Sequence, residues 1–75
     1  MNFNTNLLRQ LRVRIGANLH RLRARRKMPL GKLSARSGVP SEKIDHYELG
    51  KGEIPFDHAL RIVCALGAPI EEILK

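Results

Sequence analysis

Residues Leu33 to Lys51 read LSARSGVPSEKIDHYELGK, and this stretch decides the fold. Apolar residues recur at helical spacing before Gly38 and again after it. A glycine between two such segments can adopt the left-handed conformation that ends a helix. Ser34 is small, which suits a point where two short helices cross closely. The stretch therefore predicts two short helices joined by a tight turn, with the rest of the chain packed around them.

The same stretch resembles the phage repressor and Cro type of helix-turn-helix protein. The resemblance extends over about Ile15 to Leu74 and implies a compact, five-helix, lambda-repressor-like domain that binds double-stranded DNA. The motif positions are Leu33, Ser34, Gly38, Val39, Ile44, Tyr47, Glu48, Gly50 and Lys51.

Length and composition agree with a small helical domain. A chain of 75 residues forms one domain with a thin core, and no segment alternates with the period of a strand. We predict an all-α fold in which residues 15–75 form the helix-turn-helix domain and residues 1–14 form a basic, apolar extension of the first helix. The single cysteine, Cys64, excludes an internal disulfide and a cysteine-rich zinc site.

Charge is distributed unevenly along the chain. The net charge is +7, and residues 1–36 carry ten of the fourteen Lys and Arg residues but none of the seven acids. This asymmetry indicates a polyanionic partner for the first half. An ordinary solvated basic helix surface explains it equally well.

The first helix is predicted to begin at a cap formed by Asn4 or Thr5. Gly16 interrupts its apolar pattern at a cost of about 1 kcal/mol relative to alanine, so the sequence allows one long helix or two shorter ones. Three early leucines either cover the core or contact a second copy of the chain. The apolar stripe consists of Leu7, Leu8, Leu11, Ile15, Leu19 and Leu22.

Helix two is predicted from about Leu30 to Ser37, with Pro29 as its first residue. In the related family the position of Leu30 is usually a glutamine that contacts a DNA phosphate, which leucine cannot do through its side chain. Phosphate contacts are expected instead from basic residues near the motif. These are Lys32, Lys51, Arg26 and Lys27.

Helix three, about Ser41 to Leu49, is the predicted recognition helix. Its helical periodicity turns Ile44 and Tyr47 toward the core and the remaining side chains outward. The resemblance places base contacts at its first, second and sixth positions, with an adjacent lysine. The expected base-reading residues are Ser41, Glu42, Lys43 and His46.

The acids on helix three have two interpretations. Glu42 can accept a hydrogen bond from cytosine N4, and His46 can donate to a guanine acceptor. Alternatively, an acid in the first turn stabilises the positive end of the helix dipole. The two interpretations are balanced for Glu42, whereas helix stabilisation is the better explanation for Asp45.

Glu48 has a structural role in the related family, where it pairs with an arginine that aligns with Arg23. A guanidinium can hold a carboxylate through two parallel hydrogen bonds. We therefore expect a partly buried Arg23–Glu48 ion pair that fastens helix one to helix three.

Helix four is predicted from Phe56 to Leu66, with Gly67 as its end. Cys64 is expected to be inert packing, and a final helix is expected over Ile70 to Lys75. The residues predicted to be buried here are Phe56, Ala59, Leu60, Val63, Leu66, Ile70, Ile73 and Leu74.

No catalytic motif, metal-ligand spacing or phosphate-binding loop is visible, so the sequence indicates neither an enzyme nor a cofactor. The first interpretation is a cytoplasmic, nucleoid-associated transcription regulator of the repressor type that binds double-stranded DNA as a homodimer. The alternative is a protein-interaction module that keeps the fold without reading DNA. No membrane association or small-molecule substrate is expected.

Overall fold

The computed structural model describes residues 5–75 and contains helices but no strand in that range. The all-α prediction is confirmed, but the predicted count of five helices is not exact, because the last element is a short 3₁₀ turn. Asn4, one of the two candidate caps, lies outside the described residues. The elements are α1 (Thr5–Arg25), α2 (Leu30–Ser37), α3 (Ser41–Glu48), α4 (Phe56–Leu66) and the C-terminal 3₁₀ turn (Ile70–Ile73).

Helix α1 is continuous through Gly16, so the first of the two alternatives holds. Gly16 is buried, and a Cβ atom built on it would lie 2.1 Å from the Tyr47 carbonyl oxygen and 2.9 Å from that of Glu48. The absence of a side chain therefore allows α1 to approach the last turn of α3 more closely than any other residue would permit.

The turn between α2 and α3 is built on Gly38, which has a left-handed φ of 74°. Ser34 Oγ donates to the Val39 carbonyl at 2.7 Å, and the Val39 amide donates to Ser37 Oγ at 3.2 Å. These two bonds satisfy polar groups of the turn, while the Val39 side chain is fully buried. The small serine predicted at the crossing therefore also fixes the turn.

Each of the last four elements begins after a proline. Pro29 occupies the capping position before α2, and its carbonyl accepts the amides of Lys32 and Leu33 at 3.1 Å. It is therefore not the first residue of the helix, as predicted, but the residue before it. Helix α3 likewise ends one residue earlier than predicted, at Glu48, with Leu49 as its cap.

The core forms where α1, α2, α3 and α4 meet, and Val39 contributes to it from the turn between α2 and α3. In α4 the buried face is rotated from the prediction: Ile62 is fully buried, whereas Phe56 is 70% exposed and Leu60 36% exposed. Cys64 is also exposed, so its expected packing role is wrong. The largest fully buried side chains are Leu19, Leu33, Ile44, Ile62, Ile73, Val39 and Val63.

Asn18 of α1 holds the C-terminal turn in place. The side chain is only 3% exposed, and its Nδ2 donates to the Ile73 carbonyl at 3.0 Å and to the Lys75 carbonyl at 3.3 Å. Ile73 is buried as predicted, but Leu74 is 59% exposed. Leu74 is not part of the turn, which ends at Ile73, and follows it as the cap residue.

The beginning of α1 projects from the core. Leu7, Leu8 and Leu11 are 50%, 38% and 40% exposed, so they cover the core at most in part. Glu53 accepts a hydrogen bond from Arg12 at 3.0 Å, which ties this half of α1 to the loop after α3. Among the described residues no helix is long and apolar enough to cross a membrane.

Candidate nucleic-acid interface

The outward face of α3 is the most distinctive polar surface near the motif. Glu42, Lys43 and His46 are exposed and Ser41 is partly exposed, while Ile44 and Tyr47 anchor the opposite side. A shallow notch on this face is lined by Pro40, Glu42, Lys43 and His46. Three of the residues expected to read bases, Glu42, Lys43 and His46, therefore surround one notch, and Ser41 lies at the start of the same helix outside the notch lining.

Tyr47 fixes the inner side of α3 against α4. Its hydroxyl lies 2.7 Å from His58 Nδ1, and the two rings are 5.9 Å apart in a tilted arrangement. Burial raises the pKa of Tyr47, and the nearby charge of Asp57 adds to this effect. The tyrosine thus remains neutral and keeps its hydrogen bond at physiological pH.

The predicted Arg23–Glu48 pair is present and is bidentate. Arg23 Nε donates to Glu48 Oε2 at 2.7 Å and Nη2 donates to Oε1 at 2.9 Å. Arg23 Nη1 also donates to the Met28 carbonyl at 3.1 Å, and His20 Nδ1 lies 3.1 Å from Glu48 Oε1. The pair joins α1 to the end of α3 through two parallel bonds, which restrict rotation as well as separation.

The Glu48 carboxylate is only 5% exposed, and its titration reflects opposing effects. Burial acts to raise its pKa, but the hydrogen bonds and charges of Arg23 and His20 outweigh burial, so the pKa of Glu48 lies below its usual value. The hydrogen bond to Glu48 in turn raises the pKa of Arg23. Both groups are therefore charged at neutral pH.

Two glycines bring α1 against the end of α3, a role that sequence spacing does not reveal. Gly16 approaches the carbonyls of Tyr47 and Glu48, and a Cβ on Gly50 would lie 2.9 Å from Val13 Cα. Gly50 also has a left-handed φ of 70°. A helical glycine with no turn signal nearby is the only sequence clue to the first of these contacts.

Lys51 is held at the end of α3. The Gly50 amide donates to the Tyr47 carbonyl and the Lys51 amide to the His46 carbonyl, both at 3.0 Å, which is the Schellman motif of a glycine-terminated helix. The Lys51 side chain is exposed. The two hydrogen bonds therefore fix the Lys51 backbone relative to His46, and the side chain extends from that point into solvent.

The other candidate phosphate contacts differ in their surroundings. Lys27 and Lys32 are exposed, and Lys27 has an unusual left-handed φ of 52°. Arg26 Nε donates to the Leu66 carbonyl at 2.7 Å and Nη2 to the Gly67 carbonyl at 3.4 Å. A phosphate contact by Arg26 would compete with these bonds at the end of α4.

The described residues contain no group of three or more His, Cys, Asp and Glu side chains that could hold a metal ion. The three histidines have different surroundings. His20 faces Glu48, His58 faces Tyr47, and His46 lies on the outward face of α3.

Comparison with known proteins gives two close structural relatives. The restriction-modification controller protein C.AhdI from Aeromonas hydrophila matches with a TM-score of 0.79 and 22% identity, over 83% of this chain and 94% of that one. The clp gene regulator ClgR from C. glutamicum matches with a TM-score of 0.81 and 30% identity, over 85% of this chain and 83% of that one. No protein-family model and no curated protein matches the chain. Its fold and its sequence identity to ClgR show that the chain belongs to the phage repressor and Cro type of helix-turn-helix transcription regulators.

Proposed function

We propose that this chain is a transcription regulator of the repressor type that binds double-stranded DNA and reads the major groove with α3. The observation that carries the proposal is the outward face of α3, where Glu42, Lys43 and His46 are exposed around one notch on a helix anchored on its other side by Ile44 and Tyr47. Both structural relatives, a restriction-modification controller protein and a clp gene regulator, support a regulatory role.

Base reading is assigned to Ser41, Glu42, Lys43 and His46. The hydroxyl of Ser41 suits several base edges, the Glu42 carboxylate suits the cytosine amino group, and an imidazole N–H of His46 suits a guanine acceptor. The Arg23–Glu48 pair supports this assignment, because its two parallel hydrogen bonds fasten the end of α3 to α1, and base reading requires a well-positioned helix.

Phosphate binding is assigned to Lys32, Lys51 and Lys27. Arg26 is expected to contribute less, because its guanidinium already donates to the Leu66 carbonyl at the end of α4. The first amides of α2 have no side-chain cap and can also face a phosphate. Two copies of the chain on a near-palindromic site, one helical turn apart, would complete the complex.

The test is selection of bound duplexes from a random pool, followed by a salt titration of the selected site. The logarithm of the binding constant is expected to fall linearly with log salt, with a slope of about −0.9 per neutralised phosphate. Lys51→Ala should reduce that slope by about one unit and leave base preference intact. Lys75→Ala is the matched control, because Lys75 pairs with Glu72 away from the motif.

Base preference is tested separately with Glu42→Ala and His46→Ala. Each should relax preference at a single base pair, at a cost of about 1–3 kcal/mol for the lost discrimination. The exposed acids Glu42 and Asp45 on α3 favour the second candidate, a protein-interaction module. A flat salt dependence with no enriched sequence would refute DNA reading and support that module.

A further inference from the structure

The outer face of α4 carries an apolar stripe that the fold does not use. Phe56 is 70% exposed, Leu60 is 36% exposed and Cys64 is exposed. These residues are four apart, so they follow one another along a single side of the helix. An exposed apolar row of this kind is a candidate contact surface.

The stripe is separate from the core face of α4. Ala59, Ile62, Val63 and Leu66 are buried and supply the packing that the helix needs. Phe56 therefore contributes little to the stability of the single copy. It is one of only two phenylalanines in the sequence.

One acid and one base lie beside the stripe. Asp57 Oδ2 and Arg61 Nε are 4.0 Å apart, at the limit of an ion pair, and the two side chains are 68% and 59% exposed. Both can therefore exchange this weak contact for a better one. A surface that presents both signs next to an apolar row can complement itself.

We propose that this face of α4 is the docking surface for a second copy of the chain, with the two helices antiparallel about a two-fold axis beside Leu60. The proposal rests on the proposed function, which places two copies on one DNA site. It adds the surface through which they meet.

A two-fold axis beside Leu60 produces both charged and apolar contacts between the copies. Antiparallel pairing about Leu60 brings Asp57 of one copy beside the partner's Arg61, and the reverse contact follows by symmetry. The same pairing brings Phe56 toward the partner's Cys64. Cys64 lines a groove between α2 and α4 whose wall also includes Arg36 and Leu60, so an aromatic anchor has a recess to enter.

The other exposed large apolar side chains among the described residues fit a second copy less well. Leu49 is 56% exposed, but it is the cap residue of α3, the helix proposed to enter the DNA groove. Residues 5–25 contain arginines but no acid, so symmetric contacts between two α1 helices would bring like charges together. The C-terminal turn offers only Leu74 as an exposed large apolar side chain. The α1 helices therefore repel each other, and Leu49 and Leu74 are single side chains rather than rows.

The contact is small, which sets its expected strength. A helix of 11 residues is about 16 Å long, and one such helix covers less than the roughly 800 Å² per partner of a standard interface. Dimers of the free protein are therefore expected to be weak and concentration-dependent, and to dissociate in the micromolar range.

The experiment uses two single charge reversals and sedimentation equilibrium without DNA. Asp57→Arg makes positions 57 and 61 both positive, and Arg61→Asp makes them both negative, so each variant alone should dimerise roughly tenfold or more weakly than the wild type. An equimolar mixture should regain dimers near the wild-type level, because opposite charges then face each other. Circular dichroism of each variant checks that it is folded.

A cysteine pair reports the register. In Phe56→Cys, an oxidant such as diamide should link residue 56 to the partner's Cys64, whereas wild-type Cys64 alone should not cross-link. Each of three results would overturn the proposal. The single charge-reversal variants dimerise like the wild type, their equimolar mixture stays monomeric, or wild-type Cys64 cross-links efficiently.

The outcome is independent of DNA reading. If the charge variants dimerise normally while Lys51→Ala still changes the salt slope of DNA binding, the α4 surface is wrong and the proposed function stands. If the mixture restores dimers but no variant or wild type binds DNA, the surface stands and the proposed function is wrong.

Discussion

Gly16 offers a decisive test of how α1 supports α3, because two opposing effects act at this position. An alanine in the middle of a helix is normally about 1 kcal/mol more favourable than a glycine. At Gly16, however, the new Cβ would lie 2.1 Å from the Tyr47 carbonyl oxygen. Backbone oxygens in the last turn of α3 cannot rotate away, so the two helices would have to separate.

The structure decides which effect is larger. Overpacking of a tight interior costs about 1–3 kcal/mol, and the upper end applies because the clash is between backbone-fixed atoms. After subtracting the helix-propensity gain, Gly16→Ala should destabilise the protein by about 2 kcal/mol. For a domain of this size that lowers the melting temperature by roughly 8–16 °C.

Gly31→Ala is the matched control, since Gly31 is also helical but a Cβ there would have no neighbour within 4 Å. Because alanine favours the helix more than glycine does, Gly31→Ala should raise the free energy of unfolding by about 0.5–1 kcal/mol. Thermal and urea unfolding followed by circular dichroism measures both variants. If Gly16→Ala were neutral or stabilising like Gly31→Ala, the close approach of α1 to α3 would be refuted.

Three further variants test other contacts. Because the pKa of Glu48 is lowered in the folded state, the stability that its charge contributes is present above about pH 4.3 and is lost as the pH falls through the folded pKa. Glu48→Gln should lower the free energy of unfolding by about 3 kcal/mol at pH 7, the low end for a stranded charge since Arg23 is 18% exposed. If the difference in stability between variant and wild type failed to narrow in urea titrations at acid pH, the pairing would be contradicted. Asn18→Ala should lower the free energy of unfolding by about 1–3 kcal/mol, because the Ile73 carbonyl loses its hydrogen-bond donor. It should also speed amide hydrogen exchange in the C-terminal turn. Unchanged exchange there would show that Asn18 does not hold the turn in place. Lys27→Gly should raise the free energy of unfolding by about 1 kcal/mol, because glycine adopts the left-handed backbone of this position without strain. The same variant should make the plot of log binding constant against log salt shallower. A destabilised variant would show that the backbone at Lys27 is unstrained.

Much of the fold follows from local sequence. Gly38 ends α2 in the left-handed conformation and Pro29, Pro40 and Pro55 set the starts of three helices, since these residues restrict the backbone wherever they occur. The period of apolar residues turned Ile44 and Tyr47 inward, so the outward face of α3 was predictable as well. The Arg23–Glu48 pair was predictable only through the family resemblance.

The tertiary structure alone decided the remaining features. Periodicity gives the spacing of an apolar face but does not say which flank of a wide stripe meets a neighbour, so Phe56 and Leu60 were expected inside and lie outside. The role of Gly16 depends on a carbonyl about thirty residues away, and that of Asn18 on two carbonyls at the far end of the chain. Local sequence fixes backbone conformation because the forces act between neighbours, whereas burial and long-range hydrogen bonds depend on which surfaces meet after the helices pack.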